Sequence, residues 1–84
     1  MQAFVYKSLV KADTYVYLRE RDGFGVLPAA LAQMLGELRF VLAVELTVGR
    51  KLAREDADTV RANLGERGWH LQLPPGKVLD EAGH

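Results

Sequence analysis

Few side chains in this sequence could carry out nucleophilic chemistry. The chain contains no cysteine and two histidines, Ser8 is its only serine, and His70 is the only histidine apart from the last residue, His84. Activated nucleophiles usually lie on exposed turns or at helix starts, whereas Ser8 and His70 both fall in segments with the pattern of strands. The two histidines also lack the HxxxH or HExxH spacing of a metal site. We therefore predict no enzyme activity, no metal site and no cofactor.

The carboxylates do not supply an acid and base pair either. Glu55–Asp56 and Asp80–Glu81 are adjacent in sequence, and adjacent residues of a helix point in different directions. In the first turn of a predicted helix, Glu55 and Asp56 would instead interact favourably with the helix dipole. We expect His70, which shares a strand face with Gln72, to lack the partners that catalysis or metal binding would require.

A basic turn, "GRKLAR", is the strongest candidate for a binding site. Arg50, Lys51 and Arg54 precede or begin a predicted helix, whose free N–H groups and positive dipole end favour an anion. We predict that these three residues bind a phosphate or carboxylate, either on a small anionic ligand or on an unknown protein partner. Alternatively, they are solvated or pair with the acidic residues that follow, as surface charges often do.

A second candidate is a basic and aromatic strand face. In "TYVYLRERD", Tyr15, Tyr17, Arg19 and Arg21 alternate with other residues and would share one face of an extended strand. Such a surface can stack on and neutralise single-stranded nucleic acid. More often, tyrosines of this kind cover a core with their rings. Eleven basic residues balance eleven acidic ones, so we do not favour nucleic acid as the partner.

Composition is that of a small globular protein. The chain has 84 residues, 49% of them hydrophobic and 26% charged, which predicts one domain over residues 1–84 with a frayed tail over 76–84. The lack of cysteine favours a reducing cytoplasm. The start has no signal-peptide pattern, and the longest apolar run is far shorter than the roughly 18 residues of a membrane span. We expect a cytoplasmic monomer that does not bind membranes.

Three segments have the alternation of β-strands. "AFVYKS" and "TYVYLRE", joined by "LVKAD", predict a hairpin. "WHLQL" places Trp69, Leu71 and Leu73 on one face and His70 and Gln72 on the other. The two prolines after it cannot donate ladder hydrogen bonds, so this strand ends there or lies at a sheet edge.

Two helices and one further strand complete the predicted elements. The first helix runs from about Pro28 to Leu35 and stops at Gly36. The second lies within "KLAREDADTVRANLGERG" and ends at Gly68, with one inward stripe formed by Ala53, Ala57, Val60 and Leu64. Between them, "LRFVLAVEL" is apolar on both sides, which predicts a central strand covered on both faces. Its larger side chains would share one face: Leu38, Phe40, Leu42, Val44 and Leu46.

The segments "TYVYLRERDGF...LP", "GRKLAREDADTVRANLGERG" and "WHLQLPP", in this order and spacing, resemble the YcgL family of small bacterial proteins. The resemblance extends from Tyr6 to Pro75, and "LQLPP" is its most specific part. Trp69 and His70 stand where tyrosines are expected in that family. The resemblance implies an α/β fold, a compact single-domain α/β/α sandwich, here with a small, mostly antiparallel sheet of about four strands. It implies no activity, so we predict a non-catalytic binding or adaptor domain.

Overall fold

A computed structural model describes residues 1–48, 52 and 55–74 of the chain, and every structural statement below refers to them. The strands are β1 (Gln2–Ser8), β2 (Tyr15–Leu18), β3 (Leu38–Glu45) and β4 (Trp69–Gln72), and the helices are α1 (Ala29–Leu35) and α2 (Ala57–Arg67). A short 3-10 turn, Phe24–Val26, precedes α1. The four strands form one antiparallel sheet in the order β3-β1-β2-β4.

Helices cover both faces of the sheet, which confirms the α/β/α arrangement. Because successive strand residues point to opposite faces, β1 and β2 contribute alternately to two cores. The core on the α2 face contains Ala3, Val5, Tyr17, Val44, Leu46, Val60 and Leu64. The core on the α1 face contains Tyr6, Val16, Leu18, Leu27 and Leu35. The β1–β2 hairpin, predicted from alternation alone, thus forms the centre of the molecule.

Both helices end at the predicted glycines. Gly36 has φ +64°, and a Cβ there would lie 2.6 Å from the Cγ2 atom of Val10, so only glycine fits. Gly68 adopts the left-handed conformation with φ 86° and donates its N–H to the carbonyl of Leu64. Glycine has no Cβ and therefore tolerates the positive φ values with which these two helices end.

The start of α2 differs from the prediction. Glu55 and Asp56 are not in the first turn, because the helix begins at Ala57. Asp56 is instead the N-cap, and its carboxylate accepts hydrogen bonds from the backbone N–H and the hydroxyl of Thr59. Asp, Ser, Thr and Asn are preferred here because their side-chain oxygen satisfies a free helix N–H.

The prediction that β3 is a central, doubly covered strand is wrong. It pairs only with β1 and lies at the edge of the sheet, where Phe40, Val41 and Leu42 are exposed. Apolar residues on both sides of a strand are typical of a buried position. In this chain, however, the hairpin occupies the middle of the sheet, and α2 packs over β2 and β4.

The larger side chains of β3 do not share one face. The register shifts between Val5 and Tyr6, so that Phe40 pairs with Tyr6 while Leu42 pairs with Val5. This β-bulge places one extra residue in β3 and changes the side to which the following residues point. Phe40 therefore lies on the α1 face and Leu42 on the α2 face. A strict two-residue period could not predict this.

No described helix is long and apolar enough to cross a membrane.

Candidate functional site

The main polar cluster of the described chain is centred on His70, on the α2 face of β4. The alternation of β4 directs His70 away from Trp69 and towards α2, and His70 is only 7% exposed. Its Nδ1 atom lies 2.8 Å from the Asn63 side-chain nitrogen, and its Nε2 atom lies 2.6 Å from Glu55 Oε1. Asn63 is on α2, and Glu55 immediately precedes the N-cap of that helix. The start and middle of α2 are thereby tied to the edge strand.

Tyr17 and Gln72 extend this cluster along the sheet. The Tyr17 hydroxyl donates to Gln72 Oε1 at 2.9 Å, and the Tyr17 ring meets the His70 ring edge to face, with centroids 5.7 Å apart. Burial, and secondarily the charge of Glu55, raises the pKa of Tyr17 above its ordinary value. The phenol is therefore un-ionised at neutral pH and acts here as a hydrogen-bond donor.

A carboxylate also orients the imidazole in catalytic triads, and the sequence did not identify Glu55 as a partner of His70. The surroundings of His70 nevertheless determine its roles. An amide nitrogen only donates and a carboxylate only accepts, so the partners assign Nδ1 as acceptor from Asn63 and Nε2–H as donor to Glu55. Both ring nitrogens are then engaged within the chain.

Ser8 is likewise occupied. It is buried on the α1 face at the end of β1 and donates its hydroxyl proton to the carbonyl of Leu35 at 2.6 Å. Its Oγ atom also accepts the backbone N–H groups of Val10 and Lys11 at 3.1 and 2.8 Å. Ser8 and His70 lie on opposite faces of the sheet, which rules out a nucleophile–base pair between them. Within the described residues, no three His, Asp or Glu side chains form a group that could hold a metal ion.

The predicted anion site, Arg50, Lys51 and Arg54, lies outside the described residues. The helix that follows it begins later in the sequence than predicted. The first helical residue is Ala57, and the carboxylate of Asp56 already accepts the N–H group of Thr59 at the helix start. A helix dipole therefore does not support the site, and the three cations remain a prediction from sequence.

The predicted basic and aromatic face is not brought together. Tyr17 is buried, and β2 ends at Leu18, so the strand alternation stops before the arginines. The Arg21 guanidinium lies 4.3 Å from the ring centroid of Phe40, which is on the opposite face from Tyr17. Of the four residues predicted to form this face, Tyr15 is partly buried, and Arg19 and Arg21 are exposed.

A different aromatic patch surrounds Arg21. Tyr6 packs edge to face against Phe24 and Phe40, with centroid distances of 4.9 and 5.5 Å. The Tyr6 hydroxyl donates to the Asp22 carboxylate and accepts its backbone N–H, which fixes the loop that carries Arg21. Phe24 and Phe40 remain partly exposed, at 37% and 36%. The sequence did not predict this patch, because the patch depends on the long-range pairing of β1 with β3. Alternation within one strand does not indicate such a pairing.

The described chain also has an apolar groove of about 380 Å³ on the α1 face, next to Leu71 of β4. Three separate segments form its walls: the β1–β2 loop, α1 and β4. The lining residues are Lys11, Ala12, Thr14, Met34, Leu71, Leu73 and Pro74.

The model of the YcgL domain family matches residues 3–75. A YcgL domain-containing protein of Thioalkalivibrio sulfidiphilus is 55% identical over 75 residues, covering 89% of this chain and 93% of the relative. Another from Stenotrophomonas maltophilia is 55% identical, covering 89% of this chain and 87% of the relative. A third, from Xanthomonas euvesicatoria pv. vesicatoria, is 56% identical over 79 residues, covering 94% and 92%. These names state a domain and no activity.

Proposed function

The chain belongs to the YcgL family of bacterial proteins, and we propose that it is a non-catalytic binding or adaptor domain. The observation that supports the proposal is the internal use of its reactive polar groups. Both nitrogens of His70 and the hydroxyl of Ser8 are hydrogen-bonded to other groups of the same chain. These bonds hold α2 to β4 and the β1–β2 loop to α1.

Catalysis by His70 or Ser8 would require a lone pair or a proton directed at a substrate. Redirecting either group would leave a buried or partly buried partner without a hydrogen bond, at a cost of up to about 1–3 kcal/mol. A binding domain has no such requirement, because its exposed side chains and backbone edges carry the interaction. The arrangement of the described residues therefore favours binding over turnover.

The test is to incubate the purified chain with the small-molecule fraction of a bacterial extract and to follow the mixture by mass spectrometry. We expect compounds to be retained without being converted. The variants His70→Ala and Ser8→Ala, with the exposed Gln33→Ala as control, distinguish an enzyme from a binding domain. A compound that is consumed by the wild type and the control but not by His70→Ala or Ser8→Ala would establish an enzyme and overturn the proposal.

We further propose that the basic turn, Arg50, Lys51 and Arg54, is the local anion-binding site of this domain. Titration with inorganic pyrophosphate, followed by amide chemical shifts, should perturb residues 49–54. The double variant Arg50→Glu, Lys51→Glu should abolish the response. Arg19→Glu, Arg39→Glu makes the same change in net charge elsewhere on the chain and should leave it intact. Equal loss in both double variants would show only a general effect of charge.

A second candidate function is binding of single-stranded nucleic acid through the patch of Arg21, Phe24 and Phe40. The observation in its favour is a guanidinium stacked on a partly exposed ring, which can join a base-stacking surface. Fluorescence anisotropy with labelled oligo-U and oligo-dT at low salt measures it. Binding should weaken steeply with added salt and be lost in Phe40→Ala. If neither oligonucleotide changes the anisotropy, this function is excluded.

A further inference from the structure

β4, whose residue Leu71 lines the apolar groove, is an edge strand of the sheet, and its register with β2 fixes which of its backbone groups face outwards. In an antiparallel pair, residues alternate between exchanging hydrogen bonds with the partner strand and directing these groups away from it. The backbone N–H of Arg19 donates to the carbonyl of Gly68, and Tyr17 pairs with His70 in the same register. The backbone groups of His70 and Gln72 therefore face β2. Those of Leu71, which lies between them, face outwards.

The outer edge of β4 carries no other strand in the part of the chain that the structure describes. Leu71 thus offers one N–H and one C=O to an approaching chain, and its side chain lines the groove. A peptide that adds to a sheet edge uses such backbone groups for affinity and places alternate side chains in adjacent pockets for specificity. The edge and the groove are positioned for one extended ligand.

A positive charge stands at the same groove. Lys11 lines it, and the backbone N–H of Lys11 is held by Ser8, which also binds the carbonyl of Leu35 at the end of α1. The loop wall that carries the charge is therefore fixed to the helix wall. Among the described residues, no carboxylate forms an ion pair with Lys11. An acidic group on a ligand would complement this cation.

We propose that the groove and the outer edge of β4 bind an extended peptide of a partner protein. The peptide pairs with the backbone of Leu71, inserts an apolar side chain between Met34 and Leu73, and places an aspartate or glutamate near Lys11. This inference rests on the proposed function as a binding domain and names the class of partner. It does not involve the basic turn, the aromatic patch or the cluster around His70.

Amide hydrogen exchange of the full chain tests the edge geometry first. In the free protein, the amides of His70 and Gln72 should be protected by β2, while the amide of Leu71 should exchange faster than both by at least about tenfold. Equal protection of all three amides would show that the outer edge is already covered, and this would overturn the proposal.

Peptide selection then tests the ligand class. A display library of random 12-residue peptides, selected on the full chain, should yield sequences with alternating apolar residues and an Asp or Glu. Binding of a selected peptide should protect the Leu71 amide. Lys11→Glu should weaken such a peptide by about tenfold and, in a fresh selection, enrich Lys or Arg at the acidic position. Lys7→Glu makes the same charge change on an exposed β1 residue and should change neither result.

The outcomes separate this inference from the proposed function. Selected peptides that leave the Leu71 amide unprotected, or that respond equally to Lys11→Glu and Lys7→Glu, would overturn the peptide site. A library without any selected peptide would do the same. In each of these cases, binding of pyrophosphate at the basic turn would still support a binding domain. Conversion of a compound that depends on His70 would instead overturn the proposed function itself.

Discussion

Replacement of His70 by alanine distinguishes a structural histidine from a catalytic one. The imidazole is 7% exposed and joins Glu55 to Asn63. Truncation removes both hydrogen bonds and leaves the carboxylate and the amide without their partner. We therefore expect His70→Ala to destabilise the fold, whatever ligand the chain binds.

The magnitude follows from the two contacts. A neutral hydrogen bond contributes about 1 kcal/mol and one to a carboxylate about 2 kcal/mol. The Glu55 side chain keeps 21% of its surface in solvent, so water recovers part of its loss and the sum falls from about 3 to about 2 kcal/mol. In a domain of this size, that corresponds to a fall in Tm of about 10 °C. It is a large share of the roughly 5–15 kcal/mol that stabilises a typical domain.

Urea unfolding measures this loss directly. The chain has one tryptophan, Trp69, which is half-buried against the α1-face core with the Arg67 guanidinium 4.0 Å from the ring centroid. Its fluorescence should therefore report unfolding of β4. Circular dichroism should give the same midpoint if unfolding is two-state. The exposed Gln33→Ala should stay within about 0.5 kcal/mol of the wild type.

A double-mutant cycle with Glu55→Ala assigns the loss to the pair. The two substitutions should be non-additive by about 1–2 kcal/mol, because either one alone breaks the same contact. An unfolding free energy of His70→Ala equal to that of the wild type would refute the structural role. A higher value would do so more strongly, since removal of catalytic residues can relieve a stability cost.

Four further substitutions test the roles of the helix cap, of the buried tyrosine and of two glycines. Hydrogen bonds from the hydroxyl and amide of Thr59 hold the pKa of Asp56 below its ordinary value, so the cap stabilises the fold above about pH 4 and is lost as the pH falls through the folded-state pKa. Asp56→Ala should thus lower Tm at pH 7 but much less at pH 2.5. Burial raises the pKa of Tyr17, so the contribution of the un-ionised phenol to the free energy of unfolding is complete below about pH 10. This contribution declines as the pH rises through the folded-state pKa of Tyr17. In Tyr17→Phe, the fall of Tm at alkaline pH should therefore be smaller than in the wild type. Gly36→Ala should cost more than about 2 kcal/mol, whereas Gly65→Ala, in open helix surface, should stabilise by about 0.5–1 kcal/mol.

Elements defined by local signals were predicted correctly. The β1–β2 hairpin follows from two alternating segments, α1 ends at Gly36, and β4 ends before the prolines. Each of these depends on residues within a few positions of the feature, where backbone preferences act directly. The alternation of residues in the hairpin likewise predicted which of its side chains share a face of the sheet.

Features that depend on distant partners were not predicted. The position of β3 at the edge depends on which strand pairs with β1, and its bulge reverses the side on which Leu42 lies relative to Phe40. The contact between His70 and Glu55 joins residues 15 positions apart. A signal for it existed, since Asn63 adjoins the inward residues Val60 and Leu64 on α2, and a helix packed against β4 would turn it towards His70.

The two edges of the sheet differ in their suitability for an added strand. The outer edge of β3 is longer and more apolar, but its bulge interrupts the regular spacing of hydrogen-bonding groups, and Glu45 forms an ion pair with the N-terminal ammonium at one end. Bulges and charges at an edge oppose pairing with another chain. The β4 edge is regular over its length and borders a groove. The hydrogen bond from Leu46 N–H to Met1 directs the amide of Ala43 outwards on β3, so that amide should continue to exchange when a peptide protects Leu71.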